Sequence, residues 1–323
     1  MNEINFINKN KDQTADWGDH HSWTWNDINS HWRRIGDPSN RPIVFLHGFG
    51  ANSSHWRNNA YFFAKSGYCV YAIDLVGFGY SEQPEVKKVK FLDNVFWCNQ
   101  VANFLKEIVL SNKKYQKAII IGNSLGGLVA LTVNFLYPNL IDSIISAPLP
   151  DPAFINKPIN KKFKYILKIK SFLVKVFFRL LPLEILLPLI NKLKLIESGL
   201  QFAYSKNISK DSELKRIIKT PVKRSSAPRA LRAMCIGMSL RPQRYTAPSM
   251  LREISENESK PSFLLIWGRY DKLIPLNIGE SLVNQYPWIK LKIIENSGHC
   301  PHDESYEQFN NSVLQWLKNK LKP

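Results

Sequence analysis

The chain has 323 residues, 44% of them hydrophobic, and a formal net charge of +18 from 44 Lys and Arg against 26 Asp and Glu. This composition indicates a soluble globular protein with a large core, and its positive charge makes nucleic acid, an anionic membrane surface or an acidic ligand the partners to consider. Four widely spaced cysteines without a C-x-x-C pair argue against a disulfide frame or a zinc site and favour a reducing compartment such as the cytoplasm.

Strands and helices alternate along the chain after a polar N-terminal segment, residues 1–18, which we expect to be a disordered tail without a secretory signal. An opening hairpin is predicted over 21–28 and 31–35. Buried strands are predicted at 43–46, 68–75, 118–121, 140–146, 262–267 and 291–295, and helices at 94–110, 125–137, 278–285 and 305–321. This alternation is typical of a mostly parallel sheet with helices on both faces, in which functional sites form at the carboxyl ends of strands.

The segment Gly122–Gly127 follows an apolar strand and has a serine between glycines, the pattern G-x-S-x-G of a nucleophile elbow. A sharp turn from strand to helix leaves no space for side chains at Gly122 and Gly126, and it lifts the Ser124 hydroxyl above the sheet. The N–H of Leu125 then lies at a helix start, where it can stabilise a developing negative charge. The pattern alone occurs by chance in many proteins, so its meaning depends on the other strand ends.

Three more residues lie just past the ends of predicted strands, as Ser124 does: Phe49, Asp271 and His299. The order of the motifs around them, nucleophile, then acid, then histidine, resembles the α/β-hydrolase superfamily along nearly the whole chain after residue 20. The motifs that carry the resemblance are His47–Gly50, Asp74–Ser81, Gly122–Gly127, Gly268–Asp271 and Gly298–His299.

The resemblance implies an α/β-hydrolase fold, with a mostly parallel central sheet and helices on both faces. The core would comprise residues 19–148 and 261–323. A basic helical cap, residues 149–260, would be inserted after the sixth core strand, where the superfamily usually inserts its cap.

The resemblance also implies the chemistry of a Ser-His-Asp triad. Ser124 would attack an acyl carbonyl, His299 would accept its proton, and Asp271 would fix the tautomer of the imidazole. The N–H groups of Phe49 and Leu125 would form the oxyanion hole. This mechanism requires neither a metal ion nor an organic cofactor. A serine at the elbow excludes the epoxide hydrolases and haloalkane dehalogenases of the superfamily, which use aspartate there.

Other residues near these motifs have structural interpretations. Asp303 is a weaker rival to Asp271, because it follows His299 too closely to lie behind its ring. We expect His47 to be structural in the oxyanion loop and Asp74 to hold its own loop.

A second group of residues concerns the walls of the site. Trp56 and Asn123 are predicted to line the substrate pocket, although the sequence leaves open whether His55 and Trp56 line the pocket or pack beneath it. We expect His302 to be structural and interpret Cys300 as a packing residue.

The positive charge is concentrated in the predicted cap. Residues 151–260 contain 23 Lys and Arg against 8 Asp and Glu, a net charge of +15. Within it, 161–181 is predicted to be a helix with a basic stripe. At about 100° per residue, five of its basic residues fall within about 60° of one another. They are Lys161, Lys164, Lys168, Lys175 and Arg179. No charge-free run approaches the ~20 residues that span a bilayer, so a transmembrane helix is a poor interpretation.

Two interpretations of this helix remain open. In one, its apolar side packs on the core and its lysines are solvated. In the other, it is a basic amphipathic lid that rests on anionic lipid and admits a lipophilic substrate. Nucleic-acid binding is disfavoured, because the segment lacks the exposed interleaved aromatics of single-strand binders.

Within the superfamily, the segments Gly122–Gly127 and Gly298–Glu304 are similar to plastid and cyanobacterial hydrolases that include pheophytinase and chlorophyll dephytylase, which cleave phytyl esters. The sequence therefore predicts a cytoplasmic serine hydrolase, free or peripheral on a membrane, that cleaves a carboxylic ester with a lipophilic part. Two alternatives remain: an acyltransferase with the same triad, and a non-catalytic ligand-binding protein that retains the fold.

Overall fold

The computed structural model describes residues 15–112, 114–155, 164–192 and 195–320. Most of the predicted N-terminal tail and the first residues of the predicted 161–181 helix lie outside the described residues. One sheet of eight strands organises the described part, in the order β1-β2-β4-β3-β5-β6-β7-β8. The strands are β1 Asp19–Trp25, β2 Ile28–Ile35, β3 Arg41–Leu46, β4 Tyr68–Ile73, β5 Ala118–Asn123, β6 Ile141–Ala147, β7 Ser262–Gly268 and β8 Ile289–Ile294.

Strand direction follows the length of the connections. The β1–β2 hairpin is antiparallel and turns at Asn26 and Asp27, whose φ angles of 49° and 58° belong to the left-handed region that suits two-residue hairpin turns. β2 also pairs antiparallel with β4, and every later pairing is parallel. The prediction of a mostly parallel sheet is therefore confirmed.

Helices connect the parallel strands and also follow the last strand, β8. They are α1 Ala60–Lys65, α2 Asn94–Phe104, α3 Leu125–Leu136, α4 Lys164–Leu180, α5 Leu183–Lys192, α6 Leu195–Ala203, α7 Ser212–Val222, α8 Ala227–Leu240, α9 Ala247–Glu256, α10 Leu276–Gln285, α11 Pro301–Glu304 and α12 Tyr306–Lys320. The predicted helix over 94–110 is in two parts, because the α-helical pattern changes to a π-helical turn at Leu105–Val109. Among the described residues, no helix has both the length and the apolar character to cross a membrane.

The sheet is covered on both faces, as predicted. Phe63 of α1 and Phe309 of α12 pack with Phe45 of β3 on one face. On the other face, the residues of α2, α3 and α10 pack against the alternate side chains of the same strands. Because β4 and β5 are buried along their whole length, they read in sequence as continuous apolar runs.

The last residues of the predicted disordered tail belong to the core instead. Trp17 is fully buried, and its indole N–H donates to the carbonyl of Ser53 at 3.1 Å. The buried guanidinium of Arg33 donates to the carbonyls of Ala15, at 2.8 Å, and Trp17, at 3.2 Å. The prediction is therefore wrong for residues 15–18, because a buried cation needs backbone acceptors and this segment supplies them.

Among the described residues, six α-helices, α4 to α9, lie between β6 and β7, within the region predicted as the cap; we use the name cap for this helical region below. α9 packs against α3 of the core. The described helices of this region therefore stand over the carboxyl ends of β3, β5, β7 and β8, where the cavity described below is found.

Candidate active site

The turn after β5 has strained backbone geometry. Ser124 has φ +49° and ψ −116°, values that a residue with a side chain rarely adopts. A Cβ at Gly122 would overlap the backbone of Gly126, and one at Gly126 would overlap the carbonyl of Leu46. The glycines are thus required by close packing, and the strained serine is the geometry of a nucleophile elbow.

Ser124 opens onto a cavity of about 520 Å³ between the core and the helices above it. Phe49 and His299 line the same cavity, so the residues predicted from three separate strand ends meet at one place. Within the described part of the chain, the Ser124 hydroxyl has no hydrogen-bond partner. It is therefore free to point toward a ligand in the cavity.

Two backbone donors flank this serine. Leu125 is the first residue of α3, so its N–H has no partner within the helix. Phe49 lies in the turn after β3, and its ring contacts Phe78 edge-on at 5.6 Å between centroids. Neither N–H donates a hydrogen bond within the described ranges, and a developing oxyanion could accept from both.

His299 and Asp271 form a direct pair. The His299 Nδ1 lies 2.9 Å from Oδ2 of Asp271, and the carboxylate is fully buried. Its other oxygen accepts the N–H groups of Leu273 and Ile274, both at 2.9 Å. Three donors therefore fix the carboxylate, and it in turn orients the imidazole with Nε2 left available.

Asp303, the rival acid, is committed elsewhere. It accepts from Arg57 at 2.8 and 3.1 Å and from the hydroxyl of Tyr204 at 2.8 Å. Burial alone would raise the pKa of Asp303, but the neighbouring charges of His55 and Arg57 lower it. The structure thus separates the two aspartates, one beside His299 and one in a buried ion cluster.

That ion cluster joins the core to the cap. Arg57, from the core, also binds Asp211 at 2.5 Å and Glu213 at 3.0 Å, both at the start of α7. Burial lowers the pKa of Arg57, but its hydrogen bonds to Asp211 and Asp303 more than compensate, so the net shift is upward. A guanidinium with three carboxylate partners is a strong, directional link between the two regions.

A second link holds the loop of His299 itself. The His299 N–H donates to the carbonyl of Ala203 at the end of α6, at 2.7 Å. The buried carboxylate of Glu304 accepts the N–H of Gly298 at 2.7 Å with one oxygen. Its other oxygen accepts the N–H groups of Ser205 and Lys206, both at 2.7 Å, and the Ser205 hydroxyl.

Sequence reasoning missed both links. Glu304 lies close to His299 in sequence, but its cap partners lie 98 and 99 residues away. A carboxylate near a predicted catalytic histidine was the available signal, and a single sequence does not reveal its distant partners.

His47 and Asp74 have the structural roles that the sequence indicated. The Leu75 N–H donates to Nε2 of the buried His47 at 3.0 Å, and burial lowers the pKa of this histidine. Asp74 accepts the N–H groups of Ser53 at 2.6 Å and Tyr80 at 2.8 Å. These contacts hold the loops that follow β3 and β4 beneath the cavity.

Trp56 is not a pocket residue, and that prediction is wrong. It is fully buried and stacks on Phe45, with 4.4 Å between ring centroids. His55 lines the cavity in its place. Both residues belong to the short 3-10 helix Ser53–Trp56, which turns successive side chains to different sides. Asn123 does line the cavity, and its amide donates to the carbonyl of Ala147 at 2.6 Å.

His55, at the cavity wall, is buried against His302. His55 Nε2 lies 2.9 Å from the Tyr204 hydroxyl, and its Nδ1 lies 3.3 Å from Nε2 of His302. Burial lowers the pKa of His55 to about 4 and lowers that of His302 well below its usual value. Cys300 is also buried and forms part of the cavity wall, so it packs as expected but beside the site.

The remaining walls are apolar and come mainly from the cap. Helices α5 to α8 all contribute, through side chains that include Leu187, Leu200, Ile218 and Met234. Such a lining favours the hydrocarbon part of a ligand, while the polar side chains of the lining come from the core: His55, Gln83, Asn123, Ser124 and His299.

Comparison with known proteins agrees with this architecture. A family model described as alpha/beta hydrolase fold matches residues 41–182. A 2-hydroxy-6-oxononadienedioate/2-hydroxy-6-oxononatrienedioate hydrolase of Burkholderia vietnamiensis is 24% identical over 293 residues, which cover 86% of this chain and 88% of that protein. A pimeloyl-[acyl-carrier protein] methyl ester esterase of Wigglesworthia glossinidia brevipalpis is 31% identical over 144 residues, 42% of this chain and 49% of that one.

Among solved structures, a thermophilic esterase from Thermogutta terrifontis aligns with a TM-score of 0.66 at 18% identity, over 94% of this chain and 99% of that one. The chain has the α/β-hydrolase fold, and the predicted fold class is confirmed. The family match over residues 41–182 and the order of the strands both agree with this fold.

Proposed function

We propose that this protein is a serine hydrolase that cleaves a carboxylic ester with a lipophilic acyl or alcohol part. The observation that carries the proposal is the strained Ser124 in an apolar cavity that it shares with His299, whose imidazole is held by the buried Asp271. The likeness to proteins named hydrolase and esterase supports the reaction class.

In the proposed mechanism, the Ser124 hydroxyl oxygen attacks the ester carbonyl while His299 Nε2 takes its proton. Asp271 keeps the proton of Nδ1 in place and stabilises the imidazolium that forms. The N–H groups of Phe49 and Leu125 bind the carbonyl oxygen as it becomes an oxyanion. The imidazolium then returns its proton to the leaving alcohol, and an acyl-enzyme remains on Ser124.

Hydrolysis of the acyl-enzyme repeats these steps with water as the nucleophile. His299 accepts a proton from water, the new tetrahedral intermediate uses the same two N–H donors, and Ser124 leaves with the proton that His299 returns. The carboxylic acid product is released.

The apolar walls determine which esters we expect to react fastest. Each methylene group buried in such a cavity contributes about 0.8 kcal/mol, about fourfold in affinity. We therefore propose that kcat/KM for p-nitrophenyl esters rises from acetate toward octanoate until the cavity is filled. A phytyl ester, suggested by the resemblance to pheophytinases, is one member of this lipophilic class.

We also propose that the enzyme acts as a peripheral protein at an anionic membrane surface.

The decisive experiment combines a fluorophosphonate probe with the Ser124→Ala variant. Wild-type protein should label at Ser124 and hydrolyse p-nitrophenyl esters, whereas Ser124→Ala should lose the label and at least about a thousandfold in kcat. Ser225→Ala, in the cap, serves as the matched control, since Ser225 is exposed. A folded Ser124→Ala variant that retains turnover would disprove the mechanism.

A further inference from the structure

The outer face of cap helix α4 carries apolar side chains that are exposed to solvent. At about 100° per residue, four large side chains fall within an arc of about 140°. They are Phe172, Leu173, Phe177 and Leu180, and between 58% and 75% of each is exposed. A contiguous apolar surface of this kind, bordered by charged groups, marks an interaction site more often than an ordinary surface.

The orientation of α4 is fixed by its opposite side. Val174 and Phe178 are partly buried there. From α8, the Arg232 guanidinium donates to the carbonyls of Phe178 at 2.8 Å and Leu181 at 3.0 Å, at the end of the helix. The apolar arc therefore faces outward because the other side of the helix is attached to the cap.

The next helix, α5, also exposes large apolar side chains, and it lies beside the cavity. Ile185 and Leu189 of α5 are exposed, while Leu187 of the same helix lines the cavity. A single helix thus separates the outer apolar surface from the space above Ser124.

Basic side chains border this surface. Lys175 and Arg179 are exposed and lie next to Phe172 on the helical projection. The ammonium of Lys175 is 5.9 Å from the ring centre of Phe91. The nearby carboxylate of Glu184 is paired with Arg232 at 2.8 Å, so it does not offset the two basic groups. The surface therefore combines apolar side chains with positive charge.

We propose that this surface docks on an anionic lipid bilayer. Its members are Phe172, Leu173, Lys175, Phe177, Arg179, Leu180, Ile185 and Leu189. Apolar side chains would enter the boundary between headgroups and acyl chains, and the basic groups would contact anionic headgroups. A second copy of this chain fits less well, since a symmetric dimer would bring the basic edges of two identical surfaces together.

Docking in this orientation would place α5 between the bilayer and the cavity. This part of the inference rests on the proposed function, because it identifies the lipid surface as the place where a lipophilic ester is taken up. Binding itself does not require catalysis, and the Ser124→Ala variant should bind vesicles as the wild type does.

The test measures partition onto phosphatidylcholine vesicles with and without about one third phosphatidylglycerol. Wild-type protein should bind the anionic vesicles, and Lys175→Gln/Arg179→Gln should lower the partition coefficient at least about tenfold at low salt. Phe177→Ser/Leu180→Ser should also reduce binding, including at ~1 M NaCl, where charge interactions are screened. Hydrolysis of a short soluble ester should be unchanged in both variants.

Lys290→Gln/Lys292→Gln provides the matched control, because it removes the same charge from exposed positions on β8 of the core. Equal loss of binding in the control would show nonspecific attraction and overturn the docking surface. Unchanged binding in both cap variants would overturn it as well. A concentration-dependent dimer that only Phe177→Ser/Leu180→Ser dissociates would assign the surface to a second copy instead.

Discussion

The core and the cap differ in what they leave on their surfaces. The core covers its sheet with helices on both faces and places Ser124, Asp271 and His299 at one rim. The region 151–260 carries +15 of the net charge of +18, and its helix α4 leaves large apolar side chains in solvent. The difference fits the two proposed roles, because proposed reactive groups need a rigid support, whereas a surface proposed to bind lipid must remain exposed.

The core and the cap are joined at the backbone of His299 and at the start of α7. Ala203 at the end of α6 holds the His299 backbone, and the Arg57 cluster holds α7. The cap is therefore joined to the core at the loop of His299 and at Arg57, by hydrogen bonds and ion pairs as well as by apolar contact.

The largest expected effect is a loss of kcat, and it comes from a substitution in the core. Asp271→Asn should keep the side-chain volume but favour the wrong imidazole tautomer, since an amide can donate where the carboxylate accepts. By analogy with such changes in other triads, kcat should fall by about ten-thousandfold. Steady-state kinetics on a p-nitrophenyl ester would measure it.

The matched control is Asp303→Asn, at the other buried aspartate near His299. It weakens the cluster around Arg57, so it should lower the unfolding temperature while costing much less in kcat per folded molecule. Equal losses of kcat in the two variants would contradict the assignment of Asp271 as the acid.

Much of the core could be predicted from the sequence, because its patterns depend on residues that are close together in the chain. The elbow requires glycines beside Ser124, and a buried parallel strand reads as a continuous apolar run. The meeting of Ser124, Asp271 and His299 followed from their common position after strands. The exact role of Trp56 did not follow, since one step along a 3-10 helix separates a cavity wall from the core.

The cap was less accessible for a physical reason. The spacing in α4 shows an apolar arc beside a basic stripe, but periodicity does not say which arc faces the protein. The arc that faces the protein is determined by hydrogen bonds from Arg232 to the carbonyls of Phe178 and Leu181, which are more than 50 residues away in the sequence. The same limit applies to Glu304, whose cap partners are equally remote.

The second prediction concerns the boundary between core and cap under acid. Burial lowers the pKa of His55 to about 4, from 6.5 in an exposed histidine, so the folded protein binds this proton only at lower pH than the unfolded chain. The unfolding free energy should therefore decrease as the pH falls from about 6.5 to 4, by about 3 kcal/mol from this residue. His302 and His47, whose pKa values are also lowered, act in the same direction.

Denaturant unfolding at several pH values would measure this slope, and His55→Gln should make it shallower. The charge of Asp303 raises the pKa of His55, and the charge of Arg57 lowers it. Neither of these two residues should therefore be substituted in this experiment. The control is His20→Gln at an exposed position; partial burial and Arg33 also lower the pKa of His20, so this variant should make the slope shallower but by less than His55→Gln does. An unchanged slope in His55→Gln would mean that another group is responsible for the acid sensitivity.

The smallest expected effect concerns Glu304, which we regard as a positioning residue between cap and catalytic loop. In Glu304→Gln, one amide oxygen can still accept from Ser205 and Lys206, but the NH₂ group would face the N–H of Gly298. Loss of a charge-assisted hydrogen bond typically costs about 1.5–3 kcal/mol. Part of this cost should appear as misplacement of His299, with kcat lowered about tenfold and KM changed little.

Ser205→Ala separates positioning from general stability, because it removes only a hydroxyl donor on the cap side of the same carboxylate. It should lower the unfolding temperature while leaving kcat nearly unchanged. In Glu304→Gln, the rate of labelling by a fluorophosphonate should fall in parallel with kcat, because both require His299 to activate Ser124. If Glu304→Gln lowers only stability, with full labelling rate in the folded fraction, then the carboxylate supports the fold of the junction and the catalytic loop keeps its own geometry without it.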